Sequence, residues 1–178
     1  MNHADHVRLL EGGVQASGGV WADLGSGRGA FTLALAELIG PTGIIYSVDR
    51  DQRALGDQAL AMQAQFPATL VHYVRADFTQ PLELPPLDGV VMANALHFVP
   101  RHRQRAVVQA IRGCLRPGGR LVLIEYNLDE GNPWVPYPVS YPTWDQLSRS
   151  SGFGDTQLLA KRPSRFLREI YSAANRRP

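Results

Sequence analysis

The segment "DLGSGRGA" places Gly25, Gly27 and Gly29 two residues apart, directly after a short apolar run. Glycines at a strand-to-helix turn let the main chain pass close to a ligand, and the N–H groups opening the next helix face whatever binds there. Read as G-x-G-x-x-A through Gly25, Gly27 and Ala30, the segment also fits a dinucleotide loop. The glycines alone therefore leave nicotinamide cofactors and other adenosine-containing ligands open. Three acids narrow the choice. Asp23 precedes the first glycine by two residues, where a carboxylate is ill placed beside a pyrophosphate and well placed beside an ammonium group. Asp49 ends the second apolar run and suits a pair of ribose hydroxyls. Asp77 ends the third and suits the adenine amino group, with Phe78 able to lie against the ring. Singly, such acids also cap helices, as Asp49 or Asp51 could for the helix that follows. Together they favour S-adenosylmethionine, which carries a cationic amine and sulfonium where a dinucleotide carries phosphates.

The elements that must hold these residues alternate. Strands are expected at Val20–Gly25, Gly43–Asp49, "TLVHYVRAD" up to Asp77, Asp88–Asn94 and "GGRLVLIEYN". Between them lie helical stretches: one with Phe31, Ala34, Leu35 and Leu38 on one face, one at 51–65 with Leu55, Ala59 and Met62, and one at "RHRQRAVVQAIRGCL" with Val107, Val108, Ile111, Cys114 and Leu115, stopped by Pro117. This alternation implies βαβ units with right-handed crossovers. The expected fold class is α/β: a Rossmann-like, mostly parallel seven-stranded sheet with helices on both faces and a C-terminal antiparallel strand. Acids at the carboxyl ends of neighbouring strands then share one crevice. "TWDQLSRSSG" reads as a short helix capped by Thr143, and "DTQLLAKRPSRFLREIYSAAN" as two strands around a turn near Pro163 and Ser164. Residues 1–178 are expected to form one domain, with 128–142 as a proline-rich loop able to act as a substrate lid. His3, His6 and Leu10 fit a short helix over the cofactor or an unstructured start.

"VWADLGSGRGAFTLALA", "YSVDRD", "ADF", "DGVVMANALHFV" and "LRPGGRLVLIEY" resemble, in order and spacing over about residues 18–128, the class I S-adenosylmethionine-dependent methyltransferases. The likeness is to the small-molecule members of ubiquinone and menaquinone biosynthesis. It implies that Asp23, Gly25, Ser26 and Gly27 hold the methionine part of the cofactor, Asp49 the ribose, and Asp77 and Phe78 the adenine. It further implies that Arg50 packs near the adenine and that Asn94 lines the transfer site. Arg28 stands where the family often has a small hydroxyl residue, and only about 19 residues precede the first strand, where many members carry substrate-covering helices.

Methyl transfer from a sulfonium is an in-line displacement, so much of the work is positioning and water exclusion, with a base needed only for an acceptor that must lose a proton. His97, three residues after Asn94, is the candidate base, with loop packing or helix capping as its structural alternative. Tyr126, Trp134 and Tyr137, with Tyr141 and Trp144, are candidates for the substrate wall; packing on their own domain, or against a second copy in a homodimer, is the alternative. No metal is expected: His97 and His102 lack zincin spacing, there is no C-x-x-C, Cys114 reads as core, and Ser26 is not in a nucleophile elbow.

Composition bounds the rest. The chain has 178 residues, 44% of them hydrophobic and 19% charged, an ordinary globular balance. One cysteine and no long apolar run favour a reducing, cytoplasmic setting with no membrane partner. Residues 1–100 hold five arginines against ten acids, and residues 101–178 hold thirteen basic residues against six acids. The basic half, with Arg101, Arg103 and Arg105 and the later Arg162, Arg165 and Arg168, admits a nucleic-acid partner. "NALH" lacks the N-P-P-aromatic run of amine-directed nucleic-acid methyltransferases, so a small-molecule acceptor is preferred. An RNA or DNA methyltransferase, or a noncatalytic S-adenosylmethionine-binding subunit, are the alternatives, with a nicotinamide oxidoreductase behind them.

Overall fold

The computed structural model describes residues 1–14, 17–164 and 166–178. Helix α1 (His3–Leu10) is followed by β1 (Val20–Leu24), α2 (Ala30–Ile39), β2 (Ile44–Asp49), α3 (Gln52–Gln65), β3 (Leu70–Arg75) and β4 (Leu87–Ala93). A single 3₁₀ turn at Leu96–Phe98 leads into α4 (Arg101–Cys114), β5 (Leu115–Tyr126), α5 (Tyr141–Ser150), β6 (Thr156–Pro163) and β7 (Glu169–Arg176). The strands form one seven-stranded sheet in the order β3-β2-β1-β4-β5-β7-β6. The first five strands run parallel, while β7 pairs antiparallel with both β5 and β6.

Side-chain alternation along the central strands feeds two cores. Trp21, Ile45, Val91, Val122 and Ile124 pack with α1 and α2, while Ala22, Leu24, Val90, Met92, Leu121 and Leu123 pack with α4 and α5. Near-continuous burial of β1 and β4 is what makes them read as unbroken apolar runs. β3, at the sheet's edge, keeps Leu70, His72 and Tyr73 exposed.

Several local expectations are corrected. The α5 N-cap is Ser140, whose hydroxyl accepts from the Thr143 amide, and not Thr143; Pro142 sits in the first turn, where a missing N–H costs nothing. Pro117 does not stop α4, which has already ended at Cys114, and instead lies within β5 beside Gly118, whose φ is 82°. Cys114 is half-buried at the helix end and not a core residue. On α2 the deeply buried position is Ile39, with Leu38 only half-buried, and on α3 Ala54 and Gln58 join Leu55 and Met62 in place of Ala59. Helix α1 forms on an Asn2–Asp5 capping box and packs on α2, with the His6 ring 4.8 Å from that of Phe31 and His3 2.6 Å from Glu37. It lines no part of the cleft described next.

Candidate functional site

At the carboxyl ends of β1, β2, β3 and β4 lies a cleft of about 470 Å³ whose walls include Gly25, Asp49, Arg50, Asp77, Phe78, Asn94, Ala95, Phe98 and Arg103. Of the glycine turn, Gly25 lines the cleft and residues 26–29 do not, and the turn crosses the end of β2. The amides of Gly25 and Ser26 donate to the Val48 carbonyl at 2.9 and 3.1 Å, and Gly27 N–H donates to Asp49 Oδ2 at 2.8 Å. Gly25 has φ 74°, and a Cβ there would stand 2.7 Å from that of Ala95, so the close approach of the two loops demands glycine. Asp49 Oδ1 also accepts from the Asp51 amide at 2.8 Å, while Asp51 itself caps α3. Asp77 Oδ1 accepts from Thr79 N–H at 2.8 Å, and this bond foremost holds its carboxyl below the usual range despite partial burial, with Arg50 and Arg103 adding to it.

Asp23 is placed differently from the expectation. β1 alternation puts it on the same face as Trp21, beneath α2, where it is 1% exposed and does not line the cleft. Burial first, and the charge of Asp49 in addition, push its carboxyl up to about 7, against the lowering effect of the Thr32 hydroxyl, which donates to Oδ2 at 2.6 Å. A polar brace continues from there. Gln58 Nε2 donates to Thr32 Oγ1, Gln58 Oε1 lies 2.8 Å from Ser47 Oγ, and Ser47 Oγ lies 2.8 Å from Ser26 Oγ. Thr32, Ser47 and Gln58 are all fully buried. A Cβ on Gly29 (φ 84°) would strike the Gln58 side chain, so α3 supports the turn from below by contact as well as by hydrogen bonds. Sequence reasoning missed these three residues. The available signal was a glutamine standing between Leu55 and Met62 on the stripe that α3 buries.

Asn94 ends β4 at φ 50°, and its buried Oδ1 has no partner among the described residues. A cleft-lining amide held at positive φ with an orphaned, buried acceptor is a strained local state of the kind that collects at ligand sites. Past it, His97 is 3% exposed, and its Nδ1 lies 2.9 and 3.0 Å from the two oxygens of Glu125, which is completely buried on β5. The His97 carbonyl accepts from Tyr137 N–H at 2.9 Å, which fastens the 128–142 loop over it. Within that loop Val135 and Val139 are buried, whereas Trp134 is 69% exposed. Tyr126 is half-buried, 6.0 Å ring to ring from His97, and outside the cleft. Arg50 is exposed at the cleft rim, and Arg28 points away to Asp57 at 3.5 Å.

The arginines of the basic half are largely engaged within the chain. Arg101 bonds the Asp129 carbonyl, Arg112 the Gly152 carbonyl, Arg116 Asp88, Arg149 both Asp145 and Asp155, and Arg162 Asp5. Arg165 lies outside the described residues. Among the described residues no group of three His, Cys, Asp or Glu could hold a metal, and no helix is long and apolar enough to cross a membrane.

The curated carboxy-S-adenosyl-L-methionine synthase of Chromohalobacter salexigens is 29% identical over 151 residues, 79% of this chain and 51% of that protein. The 2-phytyl-1,4-naphtoquinone methyltransferase of Nostoc punctiforme is 29% identical over 115 residues, 62% of this chain and 48% of its own. The chain thus spans about half the length of these curated relatives. The 1,6-didemethyltoxoflavin-N1-methyltransferase of Burkholderia thailandensis, crystallised with 1,6-didemethyltoxoflavin and S-adenosylhomocysteine, superposes with a TM-score of 0.76 at 20% identity, over 99% of this chain and 78% of that one. A family model described as a methyltransferase domain matches residues 22–123. That match covers more than half of the chain, from inside β1 to inside β5, and the protein belongs to the methyltransferase-domain family.

Proposed function

We propose that this protein is an S-adenosylmethionine-dependent methyltransferase acting on a small-molecule acceptor, with the cofactor in the cleft beside the glycine turn. The observation that carries the reading is the convergence of Gly25, Asp49, Asp77, Phe78 and the unpartnered Asn94 Oδ1 on one cleft at the carboxyl edge of the sheet. The donor set fits the ligand: Asp49 would hold the ribose hydroxyls, Asp77 and Phe78 the adenine, and Asn94 the ammonium end. The S-adenosylhomocysteine in the Burkholderia enzyme supports the choice of ligand.

When bound, S-adenosylmethionine supplies a methyl group on a positively charged sulfur. The chain's own part is to hold and to shield. The glycine turn, supported by Gln58, keeps its main chain close enough to the methionine part that water is displaced from the reacting face. The Ser26 and Gly27 amides are engaged by the Val48 carbonyl and by Asp49 and so fix the shape of the turn, and Asp23 supports it from beneath α2 through Thr32 rather than by touching the ligand. Arg50 lies over the outer side of the adenine pocket. The loop at 128–142, fixed to His97 through Tyr137, forms a wall on the acceptor side with Trp134 and Tyr126.

Calorimetry separates this from the alternatives. S-adenosylmethionine should bind the full chain and NAD should not, and Asp49→Ala should abolish binding. Tight NAD binding, or unchanged affinity in Asp49→Ala, would overturn the reading. Transfer of labelled methyl into a metabolite extract and not into RNA is the expected acceptor result.

A further inference from the structure

We propose that the acceptor is a flat aromatic compound with an ionisable hydroxyl, seated on a surface formed by Phe98, Tyr126, Trp134 and Phe166, with His97 taking the proton. This rests on the methyltransferase reading above.

Four rings from four separate segments meet along one path. His97 is 4.3 Å from Phe98 and 6.0 Å from Tyr126, Tyr126 is 6.0 Å from Phe166, and Phe166 meets Trp134 edge-on at 6.5 Å. Phe98 is 59% exposed, Phe166 55% and Trp134 69%. Single exposed aromatics are ordinary, but Phe166 and Trp134 are exposed and touch each other, and Phe98 and Tyr126 flank the same buried His97 ring, so the four line one side of the molecule in a way that favours an apolar, flat partner. The path begins in the cofactor cleft, because Phe98 lines it with Asn94. It ends at a separate hollow of about 610 Å³ walled by Tyr126, Phe166, Ile170, Arg162 and Asp5. An acceptor lying along it therefore has one end beside the transferable methyl group.

The buried pair under this surface selects the functional group. Glu125 accepts from the main-chain amides of His97 and Tyr126, each at 3.2 Å, as well as from the imidazole. Partial burial, with the Glu125 charge adding to it, raises the Tyr126 hydroxyl above its usual range, which keeps that wall residue protonated. A carboxylate can only accept, so the imidazole proton sits on Nδ1 and Nε2 presents a lone pair. Nε2 bonds no described residue. A hydroxyl on an aromatic ring, with an acidity like that of tyrosine near pKa 10, can yield its proton to imidazole as the methyl arrives; an aliphatic alcohol holds its proton too tightly.

In the step, the acceptor O–H bond breaks with its electron pair left on oxygen, and the proton passes to His97 Nε2. The oxygen pair forms the new O–CH₃ bond while the C–S bond breaks with its pair going to sulfur. The products are the aryl methyl ether, S-adenosylhomocysteine and protonated His97, which returns its proton to water. Glu125 is a positioning residue, since it acts only through the imidazole.

The probe is 2-naphthol, with cyclohexanol as its aliphatic counterpart. Calorimetry on the full chain should show 2-naphthol binding, weakened about fivefold by Phe166→Ala and by Trp134→Ala, and no cyclohexanol binding. With labelled S-adenosylmethionine, His97→Ala should lower kcat for 2-naphthol about a hundredfold or more while KM moves less than about threefold. Glu125→Gln should retain more of that kcat than Glu125→Ala, and the His97→Ala defect should shrink below about tenfold for 4-nitrophenol, which is already largely ionised at pH 8. Absence of 2-naphthol binding, binding indifferent to both ring substitutions, or wild-type kcat in His97→Ala would overturn the proposal. S-adenosylmethionine binding is measured separately: if it fails, the methyltransferase reading falls, and if it succeeds while 2-naphthol does not bind, only this proposal falls.

Discussion

The two ends of the site are built in opposite ways. The adenosine end comes from consecutive strand ends, each acid following its own apolar run, and is stiffened by a buried polar brace of Asp23, Thr32, Gln58, Ser47 and Ser26. The acceptor end is made of rings from four distant segments, mostly exposed and held by ring contacts, with one buried polar pair, His97 and Glu125, under them. A buried polar network leaves each member one geometry, because an unmatched group costs about 1–3 kcal/mol. An exposed ring surface tolerates substitution and can adapt to what it binds. On the proposed reading, the chain combines a rigid grip on one ligand with a permissive surface for another.

Substitutions can break this contrast, beginning with the largest. Asp49→Ala removes the acceptor for the ribose and for Gly27 N–H, so S-adenosylmethionine affinity should fall by about 4 kcal/mol, roughly a thousandfold by calorimetry. Next is the pH dependence of the brace. Asp23 is raised from 3.8 to about 7 in the folded chain, so between those values the native state holds a proton that the unfolded state has lost. Stability from this group is therefore complete below about pH 4 and is lost as pH rises through about 7, by at most about 4 kcal/mol. Urea titrations of Asp23→Asn should lack that decline, and an unaltered slope would mean that the carboxyl ionises without strain.

Gln58→Leu leaves Thr32 and Ser47 with unmatched buried hydroxyls. Unfolding free energy should drop by about 2 kcal/mol and cofactor affinity by about tenfold, with 2-naphthol binding left within twofold. If naphthol binding fell equally, the two ends would not be independent. Asn94→Gly should weaken the cofactor about tenfold yet leave the melting temperature unchanged or higher, because it removes a positive φ and an orphaned oxygen. Smallest is Arg28→Ala. The residue is 84% exposed and its contact with Asp57 is long, so stability and cofactor affinity should stay within about 0.5 kcal/mol of wild type.

What could be read from the sequence follows the same division. Gly25, Asp49, Asp77 and Phe78, which share one cleft, stand next to the strands that place them, so their nearness could be read from the strand ends. Asp23 was expected beside the ligand from its distance to Gly25, and strand parity was left out: Trp21, a residue of the same parity, packs under α2 and carries Asp23 with it. Gln58 and Glu125 escaped because a periodic pattern is scored on its apolar members. A lone polar residue inside a buried stripe, as in "LVLIEY", was the overlooked signal. Phe166 was beyond reach, since its contact with Tyr126 depends on how the β6–β7 hairpin meets β5, which no local spacing encodes. Ser140 and Thr143 are equally good caps by type, and a reading of Pro142 only as a breaker chose the wrong one.

The strand order has a consequence for synthesis. β7 lies between β5 and β6, so β6 leaves the ribosome with no partner and waits for residues 169–176 before it can join the sheet. Glu125 is opposite Tyr171 in that pairing, and it stays open to water until the same moment. The strands beside Gly25, Asp49 and Asp77 can thus pair while the protein is still being made, but His97 acquires its anchored, desolvated partner only when residues 169–176 are threaded into place. A nascent chain of this protein should hold cofactor before it can use it.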